Sequence, residues 1–347
     1  MHMADALLSP AVGATLWAGT IAAGGYASKK LKDRLDDRMI PLMGVLGAFI
    51  FAAQMINFTI PGTGSSGHLG GGIIIAVILG PHAAFLVMAS VLTVQALFFA
   101  DGGLLAAGCN IWNLGFYPCY LIYPLIFKPL MGDSQNPRRI VTVSIVSAIA
   151  ALQLGAFSVV IETFLSGKSE LPFGAFVLLM QPIHLAIGVV EGLVTAVVIN
   201  YVRSARPEIL DSLVTARPLG SGISLKKIMI TFALLAVVTG GVLSWFASTN
   251  PDGLEWSIQK VYGKDQLPEQ TRGIATLLKG IQEKTAFLPD YNFKKSGNES
   301  KKEATSAWPG IEGGTSAAGI IGASIVLVLI VLIAMGIRTY RRRDAKT

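Results

Sequence analysis

Residues 69–100 read LGGGIIIAVILGPHAAFLVMASVLTVQALFFA, thirty-two residues without one charged side chain. As a single helix at 1.5 Å per residue this run would extend about 48 Å, well past the roughly 30 Å hydrocarbon core of a bilayer. Gly80-Pro81 sits in its middle, where proline lacks the N–H that the ladder needs and its ring collides with the preceding turn. The run is therefore read as two spans broken at that dipeptide, the first of them short.

Seven further charge-poor runs surround it: 6–28, 40–58, 102–127, 140–161, 171–190 (continuing past Glu191 to 202), 228–247 and 313–337. With the split, the chain holds nine spans. Basic residues test the choice. With the N-terminus outside, the inner segments 28–39, 128–139, 203–227 and the tail after 337 carry eighteen of the twenty-eight Lys and Arg. An unsplit run would move thirteen of those eighteen outside, against the enrichment of cations on the cytoplasmic side. The long loop 248–312 holds nine bases and nine acids; loops of that length translocate largely regardless of charge.

Bulk composition agrees. Of 347 residues, 52% are hydrophobic and 14% charged, against about 25% charged in soluble domains, and the mean hydropathy is +0.59. The formal charge of +7 lies between apolar runs, which points to the membrane surface and not to nucleic acid. Cys109 and Cys119 fall in apolar sequence with no C-x-x-C, so they read as small buried residues. No basic n-region precedes the first apolar run, and Met1 is read as the mature N-terminus.

The expected fold is an all-α polytopic membrane protein: a seven-helix bundle followed by two transmembrane helices flanking an extracytoplasmic loop. Residues 1–205 form the seven-span block, 206–224 a cytoplasmic linker containing Pro207 and Pro218, and 225–347 the two-span block. Arg341-Arg342-Arg343 reads as a stop-transfer anchor.

Nucleotide chemistry finds no foothold. Gly62-Thr63-Gly64-Ser65-Ser66-Gly67 matches G-x-G-x-x-G, but that fingerprint needs a strand before it and a helix after it in a βαβ unit. Gly167-Lys168-Ser169 mimics the end of a phosphate loop, yet Glu162 occupies the leading glycine position. Any ATP used must be hydrolysed by another subunit.

Four histidines are present: His2, His68, His82 and His184. The α-amine of Met1, the backbone nitrogen of His2 and its Nδ1 can close adjacent chelate rings on one metal, with His68 as a fourth donor. A coplanar nitrogen set favours Ni²⁺ or Cu²⁺, whereas zinc prefers a tetrahedron and Mg²⁺ or Ca²⁺ prefer oxygen. Chance placement of His2 and helix capping by His68 are the bland alternative. Asn110 and Asn113 share a helix face and could lie behind such a site or bond neighbouring helices. His184 and Glu191, seven apart, share another face; a structural role is favoured over coupling to a partner. His82 is expected to meet solvent.

The start Met1-His2-Met3-Ala4-Asp5, with Gly67-His68-Leu69, Gly108 to Asn113 and His184 to Thr195, resembles the NikM/CbiM family, substrate-binding membrane components of energy-coupling-factor (ECF) nickel and cobalt transporters. Pro251-Asp252-Gly253-Leu254-Glu255 resembles the signature of the small NikN/CbiN component, so the order is that of an M–N fusion. The resemblance implies Met1, His2 and His68 as metal ligands and Ni²⁺ or Co²⁺ as cargo. It also implies a membrane coupling protein and ATPase subunits as partners, in a prokaryotic inner membrane. Met3-Ala4-Asp5-Ala6 stands where many members have an Ile-Pro-Asp-Gly-like string, so the local turn is open. Two rival classes remain: a secondary transporter or channel, for which Glu162 and Glu191 are the intramembrane acids available, and a membrane metalloenzyme, which would need a general base beside an open metal site. The only acid close in sequence to either histidine is Asp5.

Overall fold

The computed structural model describes residues 2–32, 35–132, 136–210, 224–268, 273–294 and 308–344. Helices occupy each apolar run: α1 (Pro10–Lys32), α2 (Met39–Gln54), α3 (Gly72–Leu79), α4 (Pro81–Phe99), α5 (Ala107–Ile111), α6 (Lys128–Met131), α7 (Pro137–Leu165) and α8 (Phe173–Ala205). A π-helical stretch, Trp112–Phe127, joins α5 to α6 and carries Pro118 and Pro124. Its wider turn suits two prolines that cannot donate to an α-ladder. The second block contributes α9 (Lys226–Gly241), α10 (Gly253–Tyr262), α11 (Ile274–Thr285) and α12 (Gly313–Asp344).

Among the described residues, four helices are long and apolar enough to cross a membrane: Pro81–Phe99, Pro137–Leu165, Phe173–Ala205 and Gly313–Arg341. The window in α4 is 72% buried and that in α12 only 28%, so α4 lies at the centre of the bundle and α12 at its edge. The glycines of α8 explain its packing on α7. A Cβ on Gly192 would lie 2.3 Å from Ile145 Cα, and one on Gly188 2.8 Å from Ile149 Cα; small residues allow such backbone approach. Helices α9 and α12 meet the same way, a Cβ on Gly319 falling 2.3 Å from the Gly240 carbonyl oxygen.

The break at Gly80-Pro81 is present: Gly80 has φ 78° and Pro81 opens α4. The short first span is different from a crossing helix. Helix α3 has eight residues, all buried, or about 12 Å, too little to cross alone. Gly71, at φ 78°, prevents the helix from starting earlier, and residues 68–71 enter as irregular chain. Non-helical backbone at depth is tolerated only where protein satisfies it. Before it lies a hairpin, β1 (Phe58–Ile60) paired antiparallel with β2 (Ser65–Gly67). This hairpin, with Gly62 and Gly64 at positive φ, is what the G-x-G-x-x-G string builds.

The outer loop of the second block is not plain loop. It holds α10, α11 and a 3₁₀ turn at Pro289–Tyr291. The linker expected at 206–224 lies largely outside the described residues, of which 207–210 are helical.

Candidate metal centre

The N-terminal segment is seated by its backbone. The Met3 N–H donates to Asn110 Oδ1 at 2.8 Å, and Asn110 Nδ2 donates back to the Met3 carbonyl at 3.4 Å. The Gly103 N–H also reaches that carbonyl, at 2.9 Å. Asp5 Oδ1 accepts the Ala106 N–H at 2.9 Å. The turn at 102–103 must be glycine: Gly102 has φ +79°, and a Cβ on Gly103 would sit 1.8 Å from Asp5 Oδ1. Met3 is fully buried. Met1, expected to supply the amine, lies outside the described residues.

His2 is thereby carried into the bundle, its side chain 6% exposed. Its ring stacks on that of His68, centroids 4.9 Å apart and planes 13° from parallel. His2 Nδ1 lies 3.2 Å from Asp101 Oδ1, and Asp101 Oδ2 accepts the Tyr291 hydroxyl at 2.5 Å. His2 Nε2 and the Gln95 side chain are buried next to each other, with no hydrogen bond of standard geometry to His2 Nε2 or Gln95 Oε1.

His68 sits just past β2. Its Nδ1 faces the Leu69 carbonyl at 3.0 Å, which requires the proton on Nδ1 and leaves the lone pair on Nε2. The next two amides bind a carboxylate: the Gly70 and Gly71 N–H groups donate to Glu191 at 2.6 and 3.0 Å. On the other side, Gln54 Nε2 donates to the Gly70 carbonyl at 2.8 Å, and Gln95 Nε2 to Gln54 Oε1 at 2.9 Å. The histidine-bearing loop is held from both sides.

The remaining expected residues separate. Asn110 grips the N-terminal segment, whereas Asn113 Nδ2 donates to Glu162 Oε2 at 3.1 Å, away from Met3. His184 Nδ1 donates to the Met180 carbonyl at 2.7 Å; its ring, 1% exposed, lines a cavity of ≈10 Å³ shared with His68, Asp252 and Gly253, about the space of one water. His82 is only half-buried and pairs with the Tyr120 hydroxyl at 3.1 Å.

The string 251–255 has a physical reading. Asp252 caps α10 through the Leu254 and Glu255 N–H groups at 2.8 and 2.9 Å, and Glu255 reaches back to the Asp252 N–H, a capping box. Gly253 is small because a Cβ would lie 2.6 Å from Ile183 Cγ2 and 3.2 Å from His184 Cε1. Leu254 is buried. The Pro251 carbonyl accepts the Ser66 N–H at 2.8 Å, and Trp256 Nε1 donates to the Thr63 carbonyl at 3.0 Å. The second block is thus docked on the hairpin that presents His68.

Sequence reading missed Asp101 and Asp252, because neither is near a histidine along the chain. An open cavity of about 880 Å³ leads to His2 and His68; Asp5, Asp101, Asp252, Glu255, Glu283 and Asp290 line it, against Lys279 and Lys294. Burial pushes both imidazoles down to about 3, so they are neutral and able to coordinate at pH 7. Burial also raises the Asp101 carboxyl, offset only in part by the Tyr291 hydroxyl. Glu255 is pushed up to about 7, by burial and then by neighbouring Asp252. Among the described residues no three His, Cys, Asp or Glu side chains converge as a metal cluster.

Fold and site together define a multi-pass helical membrane protein with two neutral histidines at one end, beside an N-terminus drawn into the bundle. Residues 2–209 match the family model for the cobalt uptake substrate-specific transmembrane region, CbiM, and residues 226–339 match that for the PDGLE domain. The chain belongs to the CbiM family and carries the PDGLE component fused behind it, in the M–N order. It is 29% identical over 337 residues to a protein of Archaeoglobus fulgidus provisionally named a fused nickel transport protein, covering 95% of this chain and 96% of that one. A cobalt transport protein of Sorangium cellulosum is 27% identical over 177 residues, 51% of this chain and 79% of its own. The crystal structure of a truncated transition metal transporter superposes with a TM-score of 0.53 at 28% identity, covering 59% of this chain and 99% of that one.

Proposed function

We propose that this chain is the substrate-binding component of an ATP-driven, ECF-type uptake transporter for Ni²⁺, with Co²⁺ the alternative cargo. The observation that carries it is the stacked His2–His68 pair, buried beside an N-terminal segment that Asn110 fixes by its backbone. The metal is held by the Met1 amine, the backbone nitrogen and Nδ1 of His2, and His68. Nδ1 must then exchange its contact with Asp101 for the metal. Neutral imidazoles meet the requirement that ligands be deprotonated.

The rest of the reading follows from that site. The N-terminus lies outside and the C-terminus in the cytoplasm. Blocks 1–205 and 225–347 act as metal binder and loading aid, joined by the linker 206–224. The docking of residues 251–256 over the His68 hairpin supports that division. Asn110 acts behind the site by placing the N-terminus, and Asn113 bonds between helices. Glu191 is a positioning residue for His68. His184 has a structural role beneath the loop. A membrane coupling protein and ATPase subunits drive inward release, since the G-x-G-x-x-G string builds a hairpin and no phosphate loop among the described residues.

The test is a titration of Ni²⁺ and Co²⁺ into the purified chain with a free N-terminus, beside a version extended by one N-terminal residue. Loss of binding on extension supports the N-terminal chelate, and the same titration ranks the two metals. Equal binding removes the amine from the ligand set and sinks the reading.

A further inference from the structure

Each neutral histidine of the metal centre has one nitrogen free for a metal and one that carries the proton. For His68 the backbone settles which is which: Nδ1 faces the Leu69 carbonyl at 3.0 Å, so the proton is on Nδ1 and Nε2 is free. His2 needs the opposite arrangement, because its chelate uses Nδ1. In the metal-free protein that nitrogen lies 3.2 Å from Asp101 Oδ1, on a carboxylate that the Tyr291 hydroxyl holds from its other oxygen. Asp101 keeps the proton on Nδ1, where the metal has to go.

Gln95 stands at the other nitrogen. It is fully buried on α4, with its side chain against His2. A side-chain amide has a donating end and an accepting end, and here the direction is fixed from the backbone. The Gly70 carbonyl can only accept, so Gln54 turns Nε2 towards it, at 2.8 Å. Gln54 Oε1 is then left to accept, and Gln95 Nε2 donates to it at 2.9 Å. The free end of the chain of amides is Gln95 Oε1, an acceptor. The Tyr291 hydroxyl also lies beside Gln95, but its proton goes to Asp101 Oδ2. Neither His2 Nε2 nor Gln95 Oε1 has a hydrogen bond of standard geometry among the described residues.

We propose that Gln95 Oε1 accepts the His2 Nε2–H in the metal-loaded protein and so selects the tautomer in which Nδ1 can bind the metal, an inference that rests on the N-terminal chelate proposed above. On loading, the Nδ1–H bond breaks and its proton passes to water, which the open cavity admits as far as His2. An Nε2–H bond forms with a proton from water, so the ring stays neutral and the number of protons is unchanged. Asp101 lets go of His2 in the same step. Gln95 touches no metal; it is a positioning residue, and histidine ligands generally have their second nitrogen held in this way. Without it, loading would bury an N–H with no acceptor, and the tautomer that Asp101 favours would prevail.

The experiment uses the full chain in detergent, with a free N-terminus and ¹⁵N-labelled histidine. Square-planar Ni²⁺ is diamagnetic, so NMR can read the imidazole nitrogens with and without the metal. Four histidines are present, and the His2 signals are those lost in His2→Ala. In the parent, the His2 proton should sit on Nδ1 without metal and on Nε2 with Ni²⁺, which tests the exchange without any substitution in the site. Gln95→Met removes the acceptor at similar volume and should lower Ni²⁺ affinity about tenfold. Gln95→Glu keeps an acceptor oxygen in either protonation state and should recover most of that loss, with melting curves reporting the fold of both variants. Unchanged affinity in Gln95→Met, equal loss in the two variants, or a proton already on Nε2 without metal would each overturn the proposal. A proton that stays on Nδ1 in the Ni²⁺-bound parent would mean that Nδ1 is no ligand; the chelate itself then fails, which the one-residue extension reports separately.

Discussion

Glu191 Oε2 accepts the backbone N–H of Gly70 at 2.6 Å, so a carboxylate on α8 holds the chain two residues beyond His68. The same carboxylate takes the Gly71 N–H at 3.0 Å. These amides lead into α3, where the positive end of the helix dipole favours an anion. Whatever moves α8 therefore moves the histidine loop.

Glu191→Gln keeps one acceptor oxygen but turns an NH₂ towards the second amide. A buried unsatisfied donor costs about 1–3 kcal/mol, and the loop should relax to avoid it. Ni²⁺ affinity is expected to drop about tenfold while thermal stability falls only slightly. Titration and a melting curve on the same sample separate the two. Unchanged affinity with lowered stability would make Glu191 a packing residue only.

The N-terminal seat gives a double-mutant cycle. Gly103→Ala places a methyl where Asp5 Oδ1 now lies, at 1.8 Å, and should displace the segment that carries His2. Metal binding is expected to fall about fivefold or more, by roughly the 1–3 kcal/mol typical of overpacking. Adding Asp5→Ala removes the side-chain part of the clash along with the bond to Ala106. The Asp5 backbone nitrogen stays 2.5 Å from the methyl, so only part of the loss should be recovered. Additive losses would show that Gly103 and Asp5 do not meet. Asn110→Ala, which strips both contacts to Met3, should weaken binding to a similar degree.

The sequence made the membrane spans legible because charge-free runs and Lys/Arg asymmetry are local signals. Gly80-Pro81 was readable for the same reason. The shortness of α3 was not, since it depends on the left-handed turn at Gly71 and on Glu191, 121 residues from the Gly70 amide it binds. His2 and His68 could be paired on chemistry alone. Asp101 and Asp252 could not, because only tertiary contacts bring them to the histidines. Asp252-Gly253-Leu254-Glu255 did carry a visible capping-box spacing, which marks the start of α10 inside what otherwise reads as a polar loop.

Proton linkage has a definite sign here. Burial holds His2 and His68 at about 3, against an ordinary 6.5. Between those values the unfolded chain takes up protons that the folded chain refuses. Their contribution to stability is complete above 6.5 and is lost as pH falls towards 3. Because the imidazoles are already neutral, they release no proton to an incoming metal. Ni²⁺ affinity should rise with pH between about 6 and 8 through the main-chain nitrogens and the ionisation of Glu255 at about 7, with no step from the histidines. Calorimetry in buffers of different ionisation enthalpy checks this, and a break near 6.5 that persists in Glu255→Gln would show solvent-accessible histidines.

The approach to the site is acidic, with Glu283 and Asp290 at its outer part beside Lys279 and Lys294. Lys279 offsets Glu283, 3.9 Å away, but acids outnumber lysines in the cleft, and a net negative cleft concentrates cations and speeds their capture. Glu283→Gln with Asp290→Asn should slow Ni²⁺ association about two- to tenfold at low salt and leave dissociation unaltered. The difference should shrink at high ionic strength. Stopped-flow binding at two salt concentrations reads both rates. An effect on dissociation instead would put these carboxylates in contact with the bound metal.

Docking of the PDGLE part can be tested at Gly253. A methyl there would lie 2.6 Å from Ile183 Cγ2 and 3.2 Å from His184 Cε1, so these side chains or α10 must shift. Gly253→Ala should lift the start of α10 off the hairpin and break the Ser66–Pro251 and Trp256–Thr63 bonds. Neither His2 nor His68 changes, so equilibrium affinity for Ni²⁺ should fall modestly. Exchange of the bound metal should quicken, because Asp252 and Gly253 close one side of the cavity beneath His68. Uptake in cells should fall more than affinity does. Hydrogen exchange at the Ser66 amide offers a direct report: the Pro251 carbonyl should protect it in the parent, and that protection should be lost with Gly253→Ala. Unchanged metal exchange despite that loss would mean that the second block does not cover the metal site.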